Sequence, residues 1–315
     1  MPVLPATDET IARAAQALAA GRLVAFPTET VYGLGAAPGR RTAVAKIFAA
    51  KDRPQFNPLI VHVPDLETAE SLAEFGTEAR ALAAAFWPGP LTIVALKRPE
   101  GGIADLVTAG LGTVALRVPA HPVARALLTG ALPIAAPSAN RSGRISPTEA
   151  GHVAAELGDI PDVILDGGPC ARGLESTVVS VVGEHPILLR LGAVPRSEIE
   201  AVLGHPIDLA AQDAPIASPG QLERHYAPQT PVRLNATTIE PGEALLAFGP
   251  NVPDGADTTI NLSPAGDLNE AAARLFAALR SLDESGARAI AVMPIPDDGL
   301  GEAINDRLRR AAKAR

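Results

Sequence analysis

Residues 22–63 read RLVAFPTETVYGLGAAPGRRTAVAKIFAAKDRPQFNPLIVHV. Leu23 to Phe26 has the composition of a buried strand, and Pro27, with its fixed φ and missing N–H, ends the pairing. Thr28, Glu29, Thr30 and an expected Gly33/Gly35 turn follow, so side-chain oxygens crowd the carboxyl end of a strand. Open α/β sheets bind ligands at that end. The next helix carries Val44, Ile47 and Phe48 at core spacing and delivers Lys51 and Arg53 to a loop closed by Asn57-Pro58, before the strand Leu59 to Val63. From Arg40 to Arg53 five basic residues face one acid, which marks an anion site.

The rest of the chain restricts what that anion can be. Its 315 residues allow two domains at roughly 150 residues each, and the net charge is −8. A mean field of that sign repels nucleic acid, so a local basic cluster fits a pocket for a small phosphorylated ligand better than a face for a duplex. One cysteine, Cys170, leaves no disulfide framework and no multi-cysteine metal site, and the six histidines include no pair at metal-ligand spacing. No residue is therefore assigned as a metal ligand. Acids stand where a signal peptide needs basic residues, and no apolar run approaches membrane-spanning length, so a cytoplasmic location without membrane attachment is expected.

Outward from the opening stretch, Thr7 or Asp8 can cap a first helix with Ile11, Ala15 and Leu18 inward and Gly21 as its stop. Strands are expected at 91–96, 113–118, 132–136, 163–165, 177–182 and 187–191, and a short helix ends at Gly204. Ser138, Asn140 and their neighbours form a second polar cluster after a strand, and Ser146-Pro147-Thr148-Glu149 reads as a capping box. Hairpin-like and helix-separated strands together predict an α/β fold with a twisted, mixed, open sheet over residues 1–204. Periodicity disappears over 205–231, although that linker contains Leu222-Glu223-Arg224-His225-Tyr226-Ala227-Pro228. Strands near 244–248, 258–262 and 289–293, with helices at 269–282 and at the terminus, make 232–315 a smaller C-terminal α/β domain.

No G-x-S-x-G elbow, Walker loop or G-x-G-x-x-G is present. What recurs at strand ends is neutral oxygens, an amide and arginines. That inventory suits positioning and charge stabilisation in phosphoryl or nucleotidyl transfer. Taken singly, each residue also has an ordinary structural explanation: a turn hydroxyl, a solvated arginine, a core histidine, a helix-terminal lysine.

In combination, PTETVYGLG, KDRPQFNPL, PSANRSGRISPT, ESTVV and LLRLG resemble the YrdC-like family in its long form, the L-threonylcarbamoyladenylate synthases. GQLERHYAPQTPV resembles that family's linker, and GLGEAINDRLRRAA its C-terminal domain. The resemblance implies synthesis of threonylcarbamoyl-AMP from L-threonine, bicarbonate and ATP, with pyrophosphate released and Mg²⁺ accompanying ATP. A separate threonylcarbamoyl transferase complex would use the product on tRNA, beside the anticodon, without direct tRNA binding by this chain. It also implies that Thr30, His62, Arg117, Ser138 and Ser176 contact threonine. Arg53, Asn57, Thr113, Asn140, Thr148, Arg190 and Tyr226 would contact the nucleotide, with the linker folding over the pocket as a lid. Lys51 and Arg53 are the expected catalytic pair, meeting the triphosphate. The hydrogenase-maturation carbamoyltransferases carry a similar domain, but their zinc fingers need more cysteines than this chain has.

Overall fold

The computed structural model describes residues 3–130, 133–211 and 226–313. The chain begins β1 (Val3–Pro5), α1 (Asp8–Ala19), β2 (Val24–Phe26), β3 (Gly33–Gly35), α2 (Arg41–Lys51), β4 (Ile60–His62), α3 (Leu66–Leu72) and α4 (Thr77–Phe86). It continues β5 (Leu91–Leu96), β6 (Thr113–Arg117), α5 (Pro122–Gly130), β7 (Ile134–Ala135), α6 (Ala150–Leu157), β8 (Val163–Asp166), β9 (Thr177–Ser180) and β10 (Ile187–Arg190). After α7 (Arg196–Leu203) and β11 (Asp208–Leu209), the remainder comprises β12 (Val232–Arg233), β13 (Glu243–Ala247), β14 (Thr259–Asn261), α8 (Leu268–Asp283), β15 (Ala289–Val292) and α9 (Leu300–Ala312).

The expected mixed α/β architecture is present, with its strands divided between two mixed sheets ordered β1-β8-β2-β3 and β11-β10-β9-β5-β6-β4-β7. Isolated bridges from Gly33 to Ser138 and from Ala36 to Ala135 join β3 to the β7 edge. The third sheet, β12-β15-β13-β14, has only parallel pairings. Thr7 caps α1 in a reciprocal box with Thr10, as a polar residue before an amphipathic run should.

Two local expectations fail. Gly33 and Gly35 do not make a turn; they lie in β3, antiparallel to β2. The glycine at 35 answers to packing, because a Cβ there would lie 2.7 Å from Ile134 Cγ2 and 3.0 Å from Phe26 Cε1. The Ser146–Glu149 capping box does not form either: α6 starts at Ala150 behind Glu149, with no side-chain cap. Burial decides the outcome, since the Ser146 hydroxyl instead donates to Glu175 Oε1 at 2.5 Å.

Two large apolar cores result. One fills the space around β2 to β10 with residues such as Leu34, Ile47, Leu91 and Leu116. The other joins β13, β15, α8 and α9, and it also takes in Val31, Ile145, Leu174 and Ala193 from the first two thirds of the chain. Gly173, at φ +65°, permits close approach of the two parts, since a Cβ would meet the carbonyl oxygens of Ala272 and Ala273 at 2.4 Å. Helix α9 turns Leu300, Ala303, Ile304, Arg307, Leu308 and Ala311 inward. Its stripe is apolar at every one of these positions except 307. Among the described residues, no helix is long and apolar enough to cross a membrane.

Candidate active site

The site starts at the carboxyl end of β2. Thr28 Oγ1 donates to the Val31 carbonyl at 2.6 Å and accepts from the N–H groups of Thr30 and Val31, both at 3.2 Å. This hydroxyl-stabilised turn sends the chain back as β3 and points Thr30 inward. There Thr30 Oγ1 accepts from Arg117 Nη1 at 2.9 Å. Arg117 ends β6, and its other bonds run from Nε to the Gly89 carbonyl at 3.1 Å and from Nη2 to Glu29 Oε1 at 2.5 Å. Three of five guanidinium N–H groups are thereby used, leaving two without a bond among the described residues. Burial opposes the charge on Glu29, but Arg117 and the Ala120 N–H together hold its carboxyl below the ordinary range.

His62, the last residue of β4, packs edge-on to Phe26 and is pushed down to about 3 by burial and by the neighbouring Arg117 charge. It is a neutral ring at physiological pH. Ser176 Oγ pairs with Thr92 Oγ1 at 2.7 Å and accepts from Arg190 Nη2 at 3.0 Å. Arg190 also grips the Ser176 carbonyl through Nε and Nη2, at 3.0 and 2.8 Å. Arg53 is fixed by bonds to the carbonyls of Asn57 and Pro58, and burial with the nearby Arg190 lowers it to about 9.

Thr30, His62, Arg117, Ser138, Ser176, Arg53, Arg190 and Tyr226 therefore line one cavity. Its free volume is only about 50 Å³, far below the ~300 Å³ and upward of ordinary ligand pockets. Tyr226 forms a wall of this narrow space. Residues 212–225, including His225 and most of the expected lid, lie outside the described residues.

The remaining expected site residues divide. Asn57, Asn140 and Thr148 are buried and are not among the residues that line the cavity. Asn57 Oδ1 and Nδ2, Asn140 Oδ1, Thr148 Oγ1 and His62 Nδ1 are buried with no hydrogen-bond partner among the described residues. Buried polar atoms normally have partners, so their concentration here marks a polar ligand's surroundings. Lys51, expected beside Arg53 at the triphosphate, is placed behind the 138–140 loop. Its ammonium is fully buried and donates to the carbonyls of Ser138, at 2.6 Å, and Asn140, so it shapes the 138–140 loop and does not border the cavity. Burial and the nearby Arg53 push its pKa well down. Thr113 is not brought to the site: it begins β6 and Arg117 ends it, which separates them by about 13 Å of strand.

Sequence reasoning missed two acids. Glu29 holds Arg117, and Glu175 lines the cavity while binding Ser146 and, through Oε2 at 2.9 Å, Arg307 Nε. Glu29 stands between two threonines in PTETV and Glu175 precedes Ser176 in ESTVV, so an acid beside a hydroxyl residue was the available signal. Among the described residues no group of three or more acids, histidines or cysteines could hold a metal.

The Sua5/YciO/YrdC family model, described as telomere recombination, matches residues 16–192. The model for the C-terminal domain of threonylcarbamoyl-AMP synthase matches residues 194–313. The chain is 42% identical to threonylcarbamoyl-AMP synthase of Bacillus subtilis, over 99% of this chain and 95% of that protein. It is 43% identical to the Pyrococcus abyssi protein of the same name, over 93% and 91% respectively. Its fold matches the crystal structure of P. abyssi Sua5 complexed with L-threonine at a TM-score of 0.90 and 39% identity, covering 98% of this chain and 96% of that one.

Proposed function

Since the chain belongs to the Sua5/YciO/YrdC family and continues into the C-terminal domain of threonylcarbamoyl-AMP synthases, we propose that it condenses L-threonine, bicarbonate and ATP into threonylcarbamoyl-AMP and pyrophosphate. The chemistry is a nucleotidyl transfer, and the product serves threonylcarbamoyladenosine formation in tRNA through a separate transferase complex. The observation that carries this reading is the cavity itself, where Arg117 and Thr30 meet Arg53 and Arg190.

Threonine's carboxylate takes the two remaining N–H groups of Arg117 bidentately, and its hydroxyl meets Thr30, Ser138 or neutral His62. Bicarbonate takes up a proton and loses water to give CO₂, and the neutral amine adds to that carbon and releases a proton, which leaves the carbamate. A carbamate oxygen then attacks the α-phosphorus of ATP in line, the bond to the bridging oxygen breaks, and pyrophosphate leaves. Arg53 and Arg190 stabilise charge on the phosphates, and Asn57, Asn140 and Thr148 turn their unpartnered atoms toward the nucleotide. Enclosure by Tyr226 excludes water, in which carbamate and mixed anhydride are both labile. With His62 neutral and both buried carboxylates engaged, no acid–base dyad is invoked.

Mg²⁺ accompanies ATP in this scheme. The engagement of Glu29 and Glu175 by arginines fits an ion carried by phosphate oxygens, where it neutralises charge. The division into a catalytic domain at 1–204, a connecting segment at 205–231 and a C-terminal domain at 232–315 is part of the same reading, supported by the separate third sheet, although the second core spans that boundary.

The test is incubation of purified protein with labelled ATP, Mg²⁺, threonine and bicarbonate, omitting each component in turn. A new adenylate plus pyrophosphate should appear only with all four. ATP left intact in every mixture overturns the proposal.

A further inference from the structure

Arg307 is the one charged residue in the buried stripe of α9, at 0% exposure. A buried guanidinium is expensive unless paired and hydrogen-bonded, so its partners should explain why an apolar residue does not stand there. Two of them belong to the catalytic part of the chain. Nε donates to Glu175 Oε2 at 2.9 Å and Nη2 to the Leu191 carbonyl at 2.7 Å, while Nη1 meets its neighbour Asp306 at 2.6 Å. The same guanidinium lies 4.8 Å from the ring centroid of Tyr226, whose ring also stacks on Phe276 of α8 at 5.6 Å and 22°.

Arg307 and Phe276 thus both pack against Tyr226, and Glu175 and Tyr226 are lining residues of the cavity. Leu191 adjoins Arg190, which borders the same space. We propose that Arg307 is a positioning residue: from the C-terminal domain it sets Tyr226, Glu175 and the Arg190 strand end in the arrangement that binds ATP. The C-terminal domain thereby acts within the reaction while touching neither substrate. This deepens the functional reading above and rests on it. Among the described residues Arg307 bonds to none of Thr30, His62, Arg117 and Ser138, four of threonine's five expected contacts, and reaches the fifth, Ser176, only through its neighbour Glu175, so the effect falls chiefly on the nucleotide.

The test compares steady-state adenylate formation by the full chain with Arg307→Lys, Glu175→Gln, Tyr226→Leu and the Arg307→Lys/Tyr226→Leu double variant, alongside thermal melts. Lysine keeps the charge but not the planar fork or the stacking face. The KM for ATP should rise about tenfold in Arg307→Lys, the scale of one desolvated cation–ring contact. The KM for threonine should stay within about twofold, inside which no transition-state role is assigned. The double variant should raise the KM for ATP by less than the product of the two single effects, because the two residues share one contact. A merely structural arginine would lower melting temperature and active fraction without splitting the two KM values. A folded Arg307→Lys with unchanged ATP KM, or one that weakens both substrates equally, overturns the assignment. If that variant does not fold, Glu175→Gln decides: unchanged ATP KM there overturns it as well. A wild-type protein that makes no adenylate overturns the functional reading and this inference together, whereas an active wild type with unsplit KM values overturns this inference alone.

Discussion

Nη2 of Arg117 lies 2.5 Å from Oε1 of Glu29, and the two side chains are 4% and 11% exposed. An ion pair this deep stabilises mainly by each partner relieving the other, so removal of one leaves an uncompensated charge. Glu29→Gln should destabilise the protein by about 3–5 kcal/mol in denaturant melts. Saturating threonine should recover more stability in this variant than in wild type, because its carboxylate replaces the missing counter-charge. A smaller recovery would count against Arg117 as the carboxylate holder.

His62 should make stability depend on acid. Its folded pKa of about 3 lies below the ordinary 6.5. Between those values the unfolded chain binds a proton that the folded one refuses, so stability is fully present above 6.5 and declines as pH falls toward 3. The slope contributed approaches 1.4 kcal/mol per pH unit, roughly. Urea melts at stepped pH should be flatter in this window for His62→Gln; equal slopes would show that other groups carry the effect.

Lys51→Met should act on structure first. Two buried carbonyls, of Ser138 and Asn140, lose their donor, which costs about 1–3 kcal/mol for an unsatisfied group. Turnover should drop with it as the 138–140 loop shifts. Loss of turnover with an unchanged melt would return Lys51 to the role of a phosphate ligand.

Gly192 tests backbone approach. A Cβ there would stand 2.5 Å from the Glu175 carbonyl oxygen and from backbone atoms of Ser176 and Thr177. Gly192→Ala should therefore destabilise by about 1–3 kcal/mol and weaken both substrates by moving Ser176. Gly151→Ala, where nothing lies within 4 Å of a Cβ on exposed α6, should be neutral or slightly stabilising. Similar melts for the two variants would refute the packing argument.

Much of this site was legible because its residues stand at strand ends in short motifs. Thr30 follows β2, Arg117 ends β6 and Ser176 precedes β9, so strand and motif together foretell convergence. Thr113 shares a strand with Arg117 but stands at its other end, so strand and motif alone do not bring it to the cavity lining. Gly35 looked like turn chemistry because sequence does not reveal that Ile134 will press against it. Lys51 looked like a phosphate ligand because nothing local reports that its ammonium will be spent on carbonyls 87 and 89 residues away. The Arg307–Glu175 bond spans 132 residues and belongs to no contiguous motif. Its one trace in the sequence is a charge at an apolar-face position of α9.

That position has a consequence for how the molecule comes into being. Arg307 lies roughly 100 residues beyond the catalytic part, so it is reached well after that part. At 5–20 residues per second, the roughly 100 residues beyond the catalytic part take about 5–20 s to synthesise. Throughout that interval Val31, Ile145, Leu174 and Ala193 await the apolar neighbours that α8 and α9 provide. The growing chain therefore carries these four apolar side chains without that cover until α8 and α9 have followed.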